Sequence, residues 1–550
     1  MKDALDLELI LAELGAFGSY QIHLFLYLSA AIVFNSAYSY QFVFAAGKVA
    51  YRCQVPECES SPAKFETNGW GAFALPAATG PSGSECYRQL AVGSACSAAS
   101  FSNVTVACSA WVYENHDTIV SEFNLACMEW KRTMVGTVHG AGVFVALPVT
   151  AVISDIFGRK PALVGTSLAP ALVGVLRSFS TNYVMYLVLE FIEALVGAGS
   201  YSTAFILALE IVGLKMRVIG GNLLSSMFAL GEVLVAAAAW AVPYWRNYTL
   251  VIFAPSFIFI LYWFLIEESV RWLLSHGRKE EAIKIIFQVA RTNKKKLSPK
   301  AMRMLVNKTT TVATQTERNR HATGTMLKVS PKQRSMCSQV LHSKTILYRM
   351  CVCSFWWVTV TMIYYGLSIN SVSLAGNKYV NFMLTSLVEI PGCCLSVVTL
   401  DRFGRKSSLM AAFFLCGISL LTLPFITDVT LVIVLTLGGK MLISMIFCSI
   451  YIYTIELFPT NARHTLIGIC SMVGRIGAMV APQTPLLMNY MNSLPYLVFG
   501  VMAGTSGLLM LLTPETLHIK LPDTIEQAER MVMPRTNKRT DISRDLETKF

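Results

Sequence analysis

Three charged residues stand where charge is costly. Glu389, Lys440 and Arg475 each fall eleven residues into an apolar run, 378–400, 429–453 and 464–488, about 16 Å deep if the runs are helices rising 1.5 Å per residue. An ionisable side chain in a hydrocarbon layer costs a few kcal/mol or more, so each is by default a functional position. Glu389 and Lys440 either neutralise one another as a structural pair or meet a solute directly. Arg475 carries a guanidinium fork that matches a carboxylate; the alternative is that it snorkels or pairs with an acid on a neighbouring helix. Glu190 and Glu193, three residues apart, share one helix face, and Glu232 lies in a neighbouring run. A cavity lined by such carboxylates attracts cations, although the 190/193 pair also reads as a buried pair sharing one proton. Both signs in one cavity suit a zwitterion, or a cation whose counter-group meets Arg475.

This is binding chemistry rather than bond-making chemistry. The sequence has no G-x-x-x-x-G-K-S/T phosphate cradle, no H-E-x-x-H and no paired Cys/His metal spacing, so neither a cofactor, a metal nor an enzymatic reaction is expected, and ATP is not the direct energy source.

The elements that position these residues follow from composition. Hydrophobic residues make up 54% of the chain and charged residues 14%, too few polar side chains to cover a soluble globule of this length. Runs of about 20 apolar residues cross a hydrocarbon layer, and twelve are legible: 19–43, 134–153, 161–179, 184–210, 219–243, 248–266, 346–370, 378–400, 406–426, 429–453, 464–488 and 494–513. Met1–Gly18 carries Asp3, Asp6, Glu8 and Glu13, unlike the basic start of a secretory signal, so no cleavage is expected. Residues 267–345 hold 17 Lys and Arg against 5 Asp and Glu, an excess equal to the +12 of the whole chain. Such a linker is expected in the cytoplasm by the positive-inside rule, with both termini on the same side. The charge is therefore not read as nucleic-acid binding. Lys294-Lys295-Lys296 with Arg291 is a solvated loop or a contact for anionic lipid.

The segment 45–133 is then extracellular. Its Cys53, Cys58, Cys86, Cys96, Cys108 and Cys127 are expected to form three disulfides in an oxidising compartment, with 15 pairings open. Asn103-Val-Thr105 is a glycosylation sequon in the same segment. Asn247-Tyr-Thr249 also matches, but its closeness to two helices leaves it unmodified.

The chain repeats itself. Asp155-Ile-Phe-Gly158-Arg159-Lys160 returns as Asp401-Arg-Phe-Gly404-Arg405-Lys406, an offset of 246; Glu210 and Arg217 return as Glu456 and Arg463 at the same offset; Glu268-Ser269 returns as Glu515-Thr516, 247 later. One spacing for three marks means two homologous six-helix halves. The expected organisation is a short cytoplasmic segment 1–18, an N-terminal half 19–266 including the Cys-rich loop, the linker 267–345, a C-terminal half 346–513 and a cytoplasmic tail 514–550. Two such repeats with a site between them at midplane are the major facilitator architecture, an all-α membrane fold. Gly158 and Gly404 permit the turn, while Asp155 and Asp401 stand where they can accept backbone N–H groups or meet a helix N-terminus. Arg159 and Arg405, at the depth of Glu210 and Glu456, are placed to pair across helices and gate the cytoplasmic end, with Arg217 and Arg463 beside them. The plainer reading is that these bases merely mark the inner face.

At this point the sequence resembles the organic ion transporter family, solute carrier family 22 of the major facilitator superfamily. The Cys-rich first loop with its sequon, Glu268-Ser-Val-Arg-Trp-Leu-Leu274, Tyr365-Gly-Leu-Ser368, Val388-Glu-Ile-Pro-Gly392, Glu456-Leu-Phe-Pro-Thr460, Pro514-Glu-Thr516 and Leu521-Pro-Asp-Thr-Ile525 carry the resemblance. Glu267 departs from it, standing where the family has proline. By this likeness Arg475 occupies the position where cation transporters carry Asp and anion or carnitine transporters carry Arg, while Cys393 replaces the anion transporters' basic residue. Trp357, Tyr364, Tyr365 and Tyr201 are similar to cavity-lining residues, whose π faces hold organic cations and flat apolar bodies.

What the resemblance implies is a plasma-membrane carrier of small organic ions working by alternating access, for cations or carnitine-like zwitterions. The alternatives are an organic anion carrier and a ligand receptor of the same fold that does not cycle. Its partners would be the solute, the bilayer and, through the ending Glu547-Thr-Lys-Phe550, a PDZ domain.

Overall fold

The computed structural model describes residues 10–517 apart from 16, 61, 77–83, 214–215, 300–339, 341 and 461, and beyond them 522 and 525–529. Most of the basic linker and the proposed PDZ ending lie outside the described residues.

Among the described residues twelve long helices follow one another. They are α1 (Ser19–Ala45), α2 (Glu129–Phe157), α3 (Arg159–Arg177), α4 (Tyr183–Glu210), α5 (Arg217–Ala241) and α6 (Trp245–Leu265). After the linker come α7 (Lys344–Asn370), α8 (Lys378–Phe403), α9 (Arg405–Thr422), α10 (Val429–Leu457), α11 (Arg463–Val480) and α12 (Leu494–Met510). Ten are each long and apolar enough to cross a membrane; the others are α3, which carries Arg159, Lys160 and Arg177, and α12, which has 17 residues. Helix starts are set by short polar side chains that accept otherwise unpaired N–H groups. Asn182 caps α4, Ser343 α7, Asn377 α8 and Asp428 α10.

Prolines break the regular pattern because they lack a donor. Pro255 accompanies a 3-10 stretch Ala254–Leu261 within α6, and Pro482 and Pro485 one at Ala481–Asn489 after α11. In α8 the α-helix is interrupted at Val388, three residues before Pro391, so Glu389 opens the second segment.

The repeat has a structural meaning that the sequence alone did not give. Gly158 and Gly404 adopt φ of 107° and 92°, which L side chains rarely reach. The helix starts behind them are capped from far away. Glu268 accepts the backbone N–H of Arg159 at 2.9 Å and of Lys160 at 3.2 Å; Glu515 accepts those of Arg405 at 3.0 Å and Lys406 at 3.1 Å. The carboxylates at the N-termini of α3 and α9 are thus Glu268 and Glu515. Asp155 and Asp401, expected to reach backbone N–H groups or a helix start, are instead 73% and 77% exposed and pair with Arg159 and Arg405. We expect Glu268→Ala and Glu515→Ala each to cost about 1–2 kcal/mol, the cost of a lost N-cap, read as similar drops in the melting temperature of the purified protein. A large drop in only one of them would contradict the paired role.

Each half has its own apolar core, one within residues 340–528 and one within 10–290. A third core, around Tyr40, Phe44, Ile369, Phe382 and Ala481, draws from both halves. Gly231 of α5 and Gly477 of α11, 246 residues apart, let a neighbouring backbone come close: a Cβ on either would sit 2.3 Å from a carbonyl oxygen, Val33 of α1 or Val358 of α7. Small residues play this role where helices pack in a membrane.

The loop between α1 and α2 folds as two short antiparallel strand pairs, Tyr51–Cys53 with Trp111–Tyr113 and Tyr87–Ala91 with Phe101–Ala107. All six of its cysteines are joined, Cys53 to Cys108, Cys58 to Cys96 and Cys86 to Cys127. Asn103 is exposed on one of the strands, whereas Asn247 lies in the first turn of α6, where Thr249 is buried and donates to the Trp245 carbonyl. Glu122 ties the loop to α6, accepting from Arg246 Nε at 3.0 Å and from the Trp245 indole. Burial alone would raise this carboxyl, but the Arg246 and Trp245 donors outweigh it and hold it below the usual carboxylate range.

Candidate functional site

Where the halves meet, α5, α7, α8 and α10 converge on a buried polar cluster. Glu232 comes from the N-terminal half; Tyr364, Ser386, Glu389 and Lys440 come from the other. Tyr364 donates its hydroxyl to Glu389 Oε2 at 2.6 Å, and Ser386 donates to Glu232 Oε2 at 2.9 Å. Lys440 Nζ lies 2.8 Å from Glu389 Oε1, outside good hydrogen-bond geometry. It donates instead to the Tyr364 carbonyl at 3.0 Å and to Ser368 Oγ at 2.7 Å, and it sits 3.4 Å from the centroid of the Tyr364 ring. Glu389 and Lys440 therefore neutralise one another, while Glu232 has hydroxyl donors and no cation of its own among the described residues. Because a lone buried charge costs several kcal/mol, Glu232 is the acid in this cluster with most to gain from a cationic partner.

Arg475 supplies the opposite sign. It lies beside the phenols of Tyr365 and Tyr451, and among the described residues no carboxylate forms an ion pair with it. Aromatic rings surround this charge at the interface. Tyr365 stacks on Tyr40 at 5.9 Å, Tyr201 lies against Phe205 at 5.8 Å and Phe228 at 5.6 Å, and Trp357 meets Tyr451 edge-on at 4.4 Å. Trp357 is itself buried, its indole donating to Thr454. Tyr201 lies within electrostatic reach of Cys393, Cys448 and Tyr451 of the other half.

The interface of the halves is closed toward the disulfide-bonded loop. There α1 packs its Tyr40 and Phe44 on Phe382, and Thr137 and Gln483 join α2 to the end of α11 at 2.6 Å. Toward the opposite end Tyr451 and Ile455 of α10 are 39% and 37% exposed. A cavity of about 640 Å³ lies on the loop side of the seal, with Asp117, Glu129, Arg132, Lys378 and Tyr379 on its walls.

Glu190 and Glu193 are not brought to this interface. They point into the N-terminal half, 0% and 1% exposed, where Arg177 pairs with Glu190 and lies 3.5 Å from Glu193. His139 Nδ1 is 3.0 Å from Glu190, and Arg177 also donates to Gln41 at 3.0 Å. Each helix has two faces, and the face that carries these acids meets α2 and α3 rather than the other half. The ligand atoms of His139, Glu190 and Glu193 lie within 4.8 Å of one another, but the guanidinium already holds both carboxylates, so the set does not read as a metal centre.

At the end bearing Gly158 and Gly404, Arg159 lies 3.5 Å from Glu210 and Arg405 3.5 Å from Glu456. Both pairs close within a half, and among the described residues no ion pair joins the halves there. Arg217 and Arg463 open α5 and α11, Arg463 donating to the Phe458 carbonyl at 3.2 Å. Sequence reasoning missed Arg177, His139, Gln41, Tyr40, Phe228 and Tyr451. Arg177 was the most legible of them, a lone base near the end of the run 161–179.

Comparison with known proteins agrees with this geometry. The family model of the Major Facilitator Superfamily matches residues 90–482 and 345–542. The chain is 31% identical to the Organic cation transporter protein of Drosophila melanogaster over 535 residues, 94% of each chain. It is 34% identical to human Solute carrier family 22 member 2 over 435 residues, 78% of this chain and 75% of the relative. In fold it is similar to the xylose transporter XylE of E. coli in an inward-open conformation, with a TM-score of 0.57 and 14% identity over 92% of this chain and 99% of that one.

Proposed function

Since the chain belongs to solute carrier family 22, the organic ion transporters of the major facilitator superfamily, and is a multi-pass secondary transporter rather than an enzyme, we propose that it carries small organic cations or carnitine-like zwitterions across the plasma membrane by alternating access. The observation that carries this reading is that Glu232 from one half and Arg475 from the other both lie near Tyr365 at the aromatic-lined interface of the halves, unpaired with one another. Glu389 and Lys440 cancel, which leaves one carboxylate and one guanidinium for the solute. A trimethylammonium group fits against Glu232 and the phenol faces, and a carboxylate against the fork of Arg475. A membrane potential of 100 mV contributes about 2.3 kcal/mol per unit charge, enough to draw a cation inward. The disulfide-bonded loop supports an extracellular position for that end, with both termini cytoplasmic and the ending Glu547-Thr-Lys-Phe550 the segment offered to a PDZ domain.

Arg475 without a carboxylate partner also favours a second reading, an organic anion carrier. Uptake of a labelled quaternary amine, competed by an aromatic carboxylate, separates the two. Binding without flux in liposomes would instead indicate a receptor. We expect Arg475→Asp to raise the KM of carboxylate-bearing solutes by about tenfold or more, the loss of one charge-assisted contact of about 1.4 kcal/mol, while simple quaternary amines are spared. An unchanged preference in that variant would remove the role given to Arg475.

A further inference from the structure

Beneath the Glu389–Lys440 pair lies a second feature that solute binding does not use. Cys393 follows Glu389 by four residues on α8, and Cys448 follows Lys440 by eight on α10, so both cysteines continue the same helix faces. Their Sγ atoms are 3.1 Å apart, and both are free thiols. The spacing is set by backbone packing: a Cβ on the adjacent Gly392 would lie 2.6 Å from the Met441 carbonyl oxygen, so α8 and α10 are pressed together at this point. Cys393 is 6% exposed and Cys448 is half-buried, and Tyr201 of the other half lies within electrostatic reach of the pair. The thiols therefore border the route between the halves.

The distance discriminates between ligands. Two thiolates on one tetrahedral zinc, with Zn–S of about 2.3 Å, stand about 3.8 Å apart, wider than the 3.1 Å between these sulfurs. A disulfide needs about 2.0 Å and an oxidant, which a reducing cytosol withholds. Trivalent arsenic is a pyramidal centre with bond angles near a right angle, and it holds two sulfurs closer than a tetrahedral ion does.

We propose that Cys393 and Cys448 form a dithiol site in the cavity wall that takes a trivalent arsenical through both sulfurs, and that its occupancy arrests transport. With an arsenic(III) oxide such as phenylarsine oxide, two As–S bonds form as two S–H bonds and the arsenic–oxygen bond break. The oxygen leaves as water with both thiol protons, and arsenic remains trivalent. The bound aryl group then stands between the wall and Tyr201, where the halves must approach. The arrest rests on the transport reading above; the adduct does not.

Phenylarsine oxide added to membranes containing the full chain is the test. Mass spectrometry of the digested protein is expected to recover one adduct linking the Cys393 and Cys448 peptides, removed by 2,3-dimercaptopropanol. In parallel, uptake falls and dimercaptopropanol restores it. In Cys393→Ser or Cys448→Ser, compared with each variant's own untreated uptake, the inhibitory concentration rises by about tenfold or more as the second tether is lost. Adducts confined to Cys351 or Cys394, or serine variants inhibited at the same concentration as the parent chain, would overturn the site. A correct adduct in a chain that transports no organic ion would count against the transport reading and leave the dithiol standing.

Discussion

Replacing Arg177 with leucine is expected to destabilise the chain more than any other single substitution within the membrane. The guanidinium is fully buried, holds Glu190 and Glu193, donates to Gln41 and lies over the Tyr186 and Phe253 rings at 5.5 and 5.0 Å. Without it two carboxylates remain in the interior, and among the described residues His139 is the one base left beside them. Breaking a buried pair in this way costs about 3–5 kcal/mol, because the surviving charge is uncompensated. The measurement is the melting temperature of detergent-purified protein together with its abundance at the cell surface, both of which should fall sharply. Changing Glu190 and Glu193 to glutamine in the same chain should recover part of the loss. A variant that melts like the parent would mean that the cluster does not hold α1, α2, α3 and α4 together.

The second large effect falls on function. Glu232→Gln keeps the shape of the side chain and an acceptor for Ser386, whose hydroxyl lies 2.9 Å from the carboxylate. What it removes is one negative charge opposite Arg475. At a separation of about 4 Å and an effective dielectric near 20, a unit charge is felt at up to about 4 kcal/mol, so even a fraction of that raises the KM for a quaternary amine by more than about tenfold. Carboxylate-bearing solutes should be spared or favoured. The check is uptake of both solute classes at matched surface abundance, and an unaltered KM for the amine would place the cation elsewhere.

Much of the architecture was legible because it is written twice. The 246-residue offset linked Gly158 with Gly404 and Glu210 with Glu456, and the same offset links Gly231 with Gly477, a signal that was present and not read. The partners of those motifs were less accessible. Glu268 and Glu515 cap helices more than a hundred residues away, and no local pattern distinguishes a capping acid from a surface one. Facing was the hardest property. Glu190, Glu193 and Glu232 all sit in helices apolar on every side, where hydrophobic periodicity does not say which face meets the other half. Only packing showed that Glu232 reaches Ser386 while the other two turn inward to Arg177. Glu389 and Lys440 were found by depth alone, since a charge eleven residues into a span has few reasons to be there.

A cryo-EM map of the full chain with a trimethylammonium carboxylate solute bound tests the central claim most directly. The account predicts density between the halves, its ammonium end at Glu232 and Tyr364 and its carboxylate end at Arg475. Density confined to the loop-side cavity around Arg132 and Lys378, or to a surface facing lipid, would contradict it.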